Sequence, residues 1–552
     1  MALSEDGIRR AVIHLITLGD TDIFPTPFEF RFYADRVEEV VAIISNLEAS
    51  KHIPTSAFEC LCPKGELSFR IAHQLYPTDM LLYTSAVIEI APLLEKLKLP
   101  SENGPFAYRF VEDPENPRLF AQSSSYHDWL IHLKDLFYDN EIFSDATYVL
   151  ETDISDFYAR IYFHRLEHVL DDCECPNQVR KIIEKIIKET RAHQSYGLPV
   201  GSSASRILAE ALLVDTDRML SDKAVAYSRY VDDFRVLVSH KADIHSLLCN
   251  LAEHLMLTEG LSLNSSKTRS YTNEDGVKLI DEKLSDVFTD DELEKLHLYI
   301  SAVYDDEDIS VEDIDDVDPA NLLQKLGDAL GPNGIDYTAI KIILKVLRAV
   351  EIEEPVSFVD KYMALLYHTP RDFCLLIGGL AQRSPEVAAL VAARLVDAIK
   401  TAPYKDMALS RIWVGHLFVT QALPITAEFR EVLNTQATEI EQRNDLLLRG
   451  LLNDRAFFRA QKTKFDAANE WSKPALMLGA ACLSKSEYKT WLANIQNHHT
   501  DPLSDIFRKW LTAEQSEIWK ILEYDYIIKT RAEKLEEMLK SLKSIFEVKL
   551  DL

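Results

Sequence analysis

Two aspartates stand in the segment Tyr230-Val231-Asp232-Asp233, between the apolar runs AVAYSRYV and FRVLVSH. Such runs read as strands, so the aspartates are expected in the turn of a β-hairpin, where Asp tolerates unusual backbone angles. Adjacent carboxylates at an exposed turn repel each other, and a divalent cation is their natural partner. A second acidic segment, Thr152-Asp153-Ile154-Ser155-Asp156-Phe157-Tyr158, closes the apolar run ATYVLE. If the two strands are neighbours, Asp153 and Asp232 face each other at one sheet edge. Asp153, Asp232 and Asp233 can then hold two Mg2+ ions, with Mn2+ as the alternative, in the arrangement used for in-line phosphoryl transfer. One ion would lower the pKa of an attacking hydroxyl; the other would hold a triphosphate and the leaving pyrophosphate.

Two further segments fit this chemistry. The loop Gly197-Leu198-Pro199-Val200-Gly201-Ser202-Ser203-Ala204-Ser205 leads into SRILAEALLVDTDRML. Its glycines let backbone approach a substrate, and a helix N-terminus favours anions. Downstream, GLSLNSSKT places Lys267 after a short strand, where an ammonium can protonate leaving pyrophosphate.

The elements that must position these residues are legible in outline. The 552 residues hold 24 Phe, 22 Tyr and 6 Trp, enough for a large core, and only 16 Gly. No apolar run approaches the roughly 20 residues of a spanning helix. The start, MALSEDGIRRAVIHLITLGD, has acidic residues before any apolar stretch and reads as neither a signal nor a transit peptide. Seven Cys, an odd number, fit reduced thiols in a cytoplasmic protein. The pairs Cys60/Cys62 and Cys173/Cys175 could hold zinc between them, but their spacing favours ordinary small residues.

The net charge is −29. Residues 1–280 hold 43 acidic and 28 basic residues, so both halves are acidic. That argues against a protein that coats nucleic acid, and any phosphate site must be a local groove or depend on metal ions. The five basic residues of CPNQVRKIIEKIIKETRAH read as a solvated helix face. Residues 304–318 carry nine acidic and no basic residues and read as a linker. From Asp336 the chain reads as successive amphipathic helices, such as DYTAIKIILKVLRAVE and PEVAALVAARLVDAIK, which suggests stacked helical hairpins. The tail over 526–549 reads as one charged amphipathic helix.

Taken together and in this order, the segments resemble motifs A, B, C and D of the reverse transcriptase family, over roughly residues 60–275. The resemblance implies metal ligation by Asp153, Asp232 and Asp233, assisted by the Ile154 carbonyl. It gives Tyr158 the role of an aromatic gate against a 2′-OH, with Phe157 beside it as the alternative. In PKGELSFRIAHQLYPTDMLLYTSAV, Lys64 and Arg70 correspond to residues that grip the triphosphate; Gly201 and Lys267 complete the deoxynucleotide site. HLITLGDTDIFPTPFEF and GLPVGSSASRILAEALL are similar to the bacterial "unknown group" and abortive-infection reverse transcriptases of the AbiA/AbiK kind. That resemblance implies an α+β fold: fingers and palm over 1–280, an acidic linker over 281–335, and a HEAT-like helical domain over 336–552. It implies antiphage DNA synthesis from dNTPs, without template and primed on a protein hydroxyl, in a trimer or hexamer. The product would be single-stranded DNA covalently attached to the protein. No one of the 22 tyrosines is selected as primer. The alternatives are copying of a dedicated noncoding RNA and a non-catalytic helical scaffold that binds a phage or host protein.

Overall fold

The computed structural model describes residues 3–113, 116–138, 148–190, 196–285, 318–331, 334–349, 352–433, 438–495 and 501–523. The C-terminal helix expected over 526–549 and the acidic segment, apart from Asp318, lie outside them. Asp318 caps the helix Pro319–Ala329, accepting from the Ala320 N–H at 2.9 Å.

Among the described residues two antiparallel sheets form the strand content. The strands β1 (Phe58–Gly65) and β2 (Ser68–Gln74) make a hairpin. Four more, β3 (Tyr148–Asp153), β4 (Ala226–Tyr230), β5 (Asp233–Val238) and β6 (Arg269–Thr272), make a sheet of order β4-β5-β3-β6. The strand β5 is buried along nearly its whole length because helices cover both faces of the sheet. On one face Val149 and Leu237 pack with Trp129 and Phe137 of the helix Tyr126–Tyr138 and with Val277 and Ile280. On the other, Leu150, Phe234 and Val236 join the main core. That core holds the helix Pro77–Leu97, apolar nearly all round and correspondingly buried.

Among the described residues from 318 onward there is no strand. The helices Tyr337–Ala349, Pro370–Ala381, Ala408–Val419, Glu439–Leu451 and Ser472–Gly479 pack each on the next. A second layer, Pro355–Tyr362, Pro385–Ile399 and Ala427–Leu433, packs against one side of that stack.

This helical stack is docked on the N-terminal part by buried polar and aromatic contacts. Trp413 Nε1 donates to the Ile23 carbonyl at 2.8 Å, and Trp471 Nε1 to that of Ser56 at 3.0 Å. Buried Arg443 pairs with buried Glu29, and Phe32 packs on Trp510 with ring centroids 5.6 Å apart. Among the described residues one continuous apolar core runs from the first helix to the last. A charged pair taken out of water stabilises only when well partnered, so Glu29–Arg443 fixes geometry more than it adds stability.

The basic helix Asn177–Thr190 is less solvated than its charge suggests. Lys185 Nζ donates to the carbonyls of Ala49, Ser50 and His52 at 2.8, 2.9 and 3.1 Å. Arg180 pairs with Asp171 and Glu184. All seven cysteines are free thiols. Among the described residues no helix is long and apolar enough to cross a membrane.

Candidate active site

The three aspartates meet where the central strands end. Asp153 closes β3 and stands in register with Asp233, the first residue of β5, and not with Asp232 as expected, because Asp232 lies one residue earlier, in the turn. One step beyond, the Ile154 N–H donates to the Asp232 carbonyl at 3.1 Å. The Asn264 N–H donates to the Asp153 carbonyl at 2.7 Å, and the Ser155 N–H to that of Ser262 at 2.9 Å. Main-chain bonds thus tie the segments of Asp153, Asp232 and Lys267 together. Lys267 Nζ donates to Asp153 Oδ2 at 2.5 Å.

Electrostatics follow from this crowding. Burial, then the charges of Asp233 and Asp153, push the Asp232 carboxyl up to about 7. Burial disfavours the Lys267 ammonium, but its bond to Asp153 and the charges of all three aspartates outweigh that and raise its pKa. The donor set, three carboxylates repelling one another, suits a hard divalent cation. The side chains are not drawn into a shared ligand shell: among the described residues no three His, Cys, Asp or Glu groups come together as a metal site. An ammonium neutralises Asp153 instead.

The turn itself differs from expectation. The residue in the left-handed region is Val231 (φ 57°), not either aspartate of the pair. A β-branched side chain is strained there, and surrounding structure must hold it. Arg229 does so. Its Nη1 donates to the Val231 carbonyl at 2.8 Å and to Glu210 Oε2 at 2.9 Å. Its Nε and Nη2 make a two-pronged contact to Asp217 at 2.9 and 2.7 Å. All three charged side chains are fully buried. The aspartate that adopts a left-handed backbone is Asp156 (φ 50°), heading the short helix Phe157–Arg160.

A cavity of about 280 Å3 opens on the aspartate turn. Asp232, Asp233, Tyr158, Gly201 and Arg70 line it. Phe157 is buried in the core, so of the two candidate rings Tyr158 is the one that reaches the cavity. The Leu198 N–H donates to the Tyr158 carbonyl at 2.9 Å, which fixes the Gly197–Ser205 loop against that ring's segment. Gly201 (φ 114°) is required for a local reason: a Cβ there would lie 2.4 Å from Thr21 Oγ1.

Not every expected residue joins the cavity. Lys64 is exposed near the tip of the β1–β2 hairpin and does not line it. Lys267 stands behind Asp153, with its side chain half-exposed. Sequence reasoning missed Arg206, Asp22, Tyr108 and Tyr126, which also line it. Arg206 Nη2 pairs with Asp22 Oδ2 at 3.3 Å, and its guanidinium lies 5.2 Å from the centre of the Tyr108 ring. Arg206 was visible only as one charge in the helix following the glycine loop.

A family model described as Reverse transcriptase (RNA-dependent DNA polymerase) matches residues 108–286. The matched stretch contains all three aspartates, Tyr158, Gly201, Lys267 and Arg229; Lys64 and Arg70 precede it. No curated protein matches the chain. Similar solved structures include apo telomerase from Candida tropicalis, at 12% identity over 66% of this chain and 70% of that one, with a TM-score of 0.32. Telomerase from Candida albicans with a TWJ fragment of telomeric RNA is 12% identical over 75% of this chain and 72% of that one, with a TM-score of 0.29.

Proposed function

We propose that this protein synthesises DNA by nucleotidyl transfer from deoxynucleoside triphosphates at Asp153, Asp232 and Asp233. The observation that carries this reading is that strand register brings the segments of Asp153, Asp232 and Asp233 to one end of the β3–β5 ladder, beside a cavity that Asp232, Asp233, Tyr158 and two arginines line. In the reaction a hydroxyl oxygen attacks the α-phosphorus and its proton passes to solvent, the bond to the bridging oxygen breaks, and pyrophosphate leaves. Bound Mg2+, or Mn2+ in its place, supplies charge neutralisation and a lowered hydroxyl pKa.

The chain's own residues do the remaining work. Asp153, Asp232 and Asp233 would hold the cation, with the Ile154 carbonyl as a further donor. Arg70 and Arg206 offer positive charge to the triphosphate. The Tyr158 ring excludes a 2′-OH by occupying its volume. Lys267 balances the charge of Asp153 and, once displaced from it, is a proton donor to pyrophosphate.

Within this reading, we assign the chain to antiphage abortive-infection enzymes, with synthesis that is template-independent and primed on the protein. The support is the sequence resemblance of the glycine loop and N-terminal segment, together with a two-layered helical stack. A trimer or hexamer is the expected assembly. The description of the matched family as RNA-dependent favours a second reading, the copying of a bound noncoding RNA. Incubating purified protein with Mg2+ and labelled dNTPs, with and without RNase, separates the two. Label that stays with the protein and survives RNase supports protein-primed, untemplated synthesis; label abolished by RNase supports a copied RNA.

A further inference from the structure

The helix Phe163–Asp172, which follows the Tyr158 segment, carries His164-Arg165-Leu166-Glu167-His168 in its first turns. Histidines four residues apart share one helix face. Leu166, between them, is buried in the core, and both rings face outward and are exposed. Their Nε2 atoms lie 3.2 Å apart, with ring centroids separated by 4.6 Å and planes crossing at 72°. The His164 ring is fixed from its other side, where Nδ1 stands 3.0 Å from Glu167 Oε2. A carboxylate only accepts, so Nδ1 carries the proton and Nε2 of the neutral ring turns a lone pair toward His168. His168 then donates through its own Nε2 across the 3.2 Å contact.

This spacing is close to that of a chelate. Two nitrogens each about 2.0–2.1 Å from one zinc ion, at a tetrahedral angle, are about 3.3–3.4 Å apart. Imidazole nitrogen suits zinc, copper and nickel, whereas Mg2+ prefers oxygen. The histidine pair and the three aspartates therefore select different ions. Glu167 stands where a carboxylate commonly orients a ligating histidine and raises its basicity.

We propose that His164 and His168 bind one Zn2+ ion through their Nε2 atoms, oriented by Glu167, with water completing the shell. On binding, His168 takes its other neutral form, with the proton on Nδ1. The same residue spacing marks one class of zinc peptidase. A catalytic zinc centre, however, is held by three protein ligands, and among the described residues no third such side chain completes this one. Glu167 is also engaged on the His164 ring, not aimed at an attacking water. The site binds an ion and does not hydrolyse. Its place in the fold gives the ion a structural effect. Arg165 of the same helix pairs with Glu259 at 2.8 and 2.9 Å, in the segment that leads to Lys267. The Ile161 carbonyl, just before the helix, accepts from the Gly197 N–H at 2.7 Å. An ion across the first turns braces the helix that these segments share, and stabilises the folded chain by binding it alone.

Calorimetric titration of the full chain with Zn2+, in excess Mg2+ and without dNTPs, tests this. Wild type should bind one more ion per chain than His168→Ala, and Zn2+ should raise the melting temperature of the wild type more than that of the variant. Glu167→Gln should weaken the site about tenfold, since it removes the orienting charge. Both histidines are exposed, so the variants should melt with the wild type when Zn2+ is absent. Carbethoxylation of wild-type protein, mapped by mass spectrometry, is the second measurement. Zn2+ should protect His164 and His168 and leave exposed His240 reactive. Equal Zn2+ uptake by wild type and His168→Ala, or no protection of the two rings, would overturn the proposal. Loss of the ion in Cys175→Ser, with His168→Ala unaffected, would also overturn it, in favour of the neighbouring thiols.

Discussion

Asp153 and Asp233 face each other in the final residue pair of the β3–β5 ladder. Residues some 80 positions apart in sequence are thus placed by strand register, and a slip of one residue would send one carboxylate to the opposite face. The site depends on that ladder more than on any loop.

Asp232→Asn should leave a folded protein and abolish DNA synthesis. Asn keeps the shape but removes a ligand charge, and loss of several kcal/mol of transition-state stabilisation lowers the rate about a thousandfold. Because Asp232 is crowded by Asp153 and Asp233, thermal melting should show unchanged or greater stability. Wild-type incorporation by this variant would refute the site.

Arg229→Met should be severely destabilising. It leaves Glu210 and Asp217 buried without their partner and frees the strained Val231 carbonyl. Breaking a buried pair in this way costs about 3–5 kcal/mol. Denaturant unfolding measures it. Arg229→Lys should recover only part, since one ammonium cannot reproduce a two-pronged contact to Asp217 while also reaching Glu210 and Val231.

Tyr158→Ala should relax discrimination against ribonucleotides, read as the ratio of rNTP to dNTP incorporation. Phe157→Ala should instead cost about 3–5 kcal/mol of stability, as for a core aromatic. If only the Phe157 variant alters sugar choice, the gate is misassigned.

Activity should need more Mg2+ as pH falls. The Asp232 carboxyl is raised to about 7 in the metal-free protein, so below that pH it is increasingly protonated. Proton and cation then compete for one group, and metal binding releases the proton. Mg2+ titrations of activity at pH 6 to 8 should show the half-saturating concentration rising on the acid side. A flat profile would show that Asp232 is not a ligand.

The parts of this site carried by local pattern were legible in the sequence. Alternating and continuous apolar runs marked β3, β4 and β5, and the aspartates followed from them. What escaped depends on convergence. Arg229 reads as an ordinary strand residue until Glu210 and Asp217, 19 and 12 residues away, fold over it. Lys341, Lys345 and Arg348 lie in a run that reads as one amphipathic helix, but no local signal says that their face turns toward the aspartates. Lys64 shows the converse: a charge at a plausible spacing lies on a hairpin outside the cavity. The turn at Val231 was legible as a turn, but which residue takes the positive φ is decided by the buried guanidinium beneath it.

The most direct test is incorporation of labelled dNTPs by purified protein with Mg2+, in wild type and Asp232→Asn side by side. The account predicts Mg2+-dependent incorporation by the wild type and none by the variant, with both proteins folded. Equal incorporation by the two, or none by the wild type even when primer and template are supplied, would contradict it.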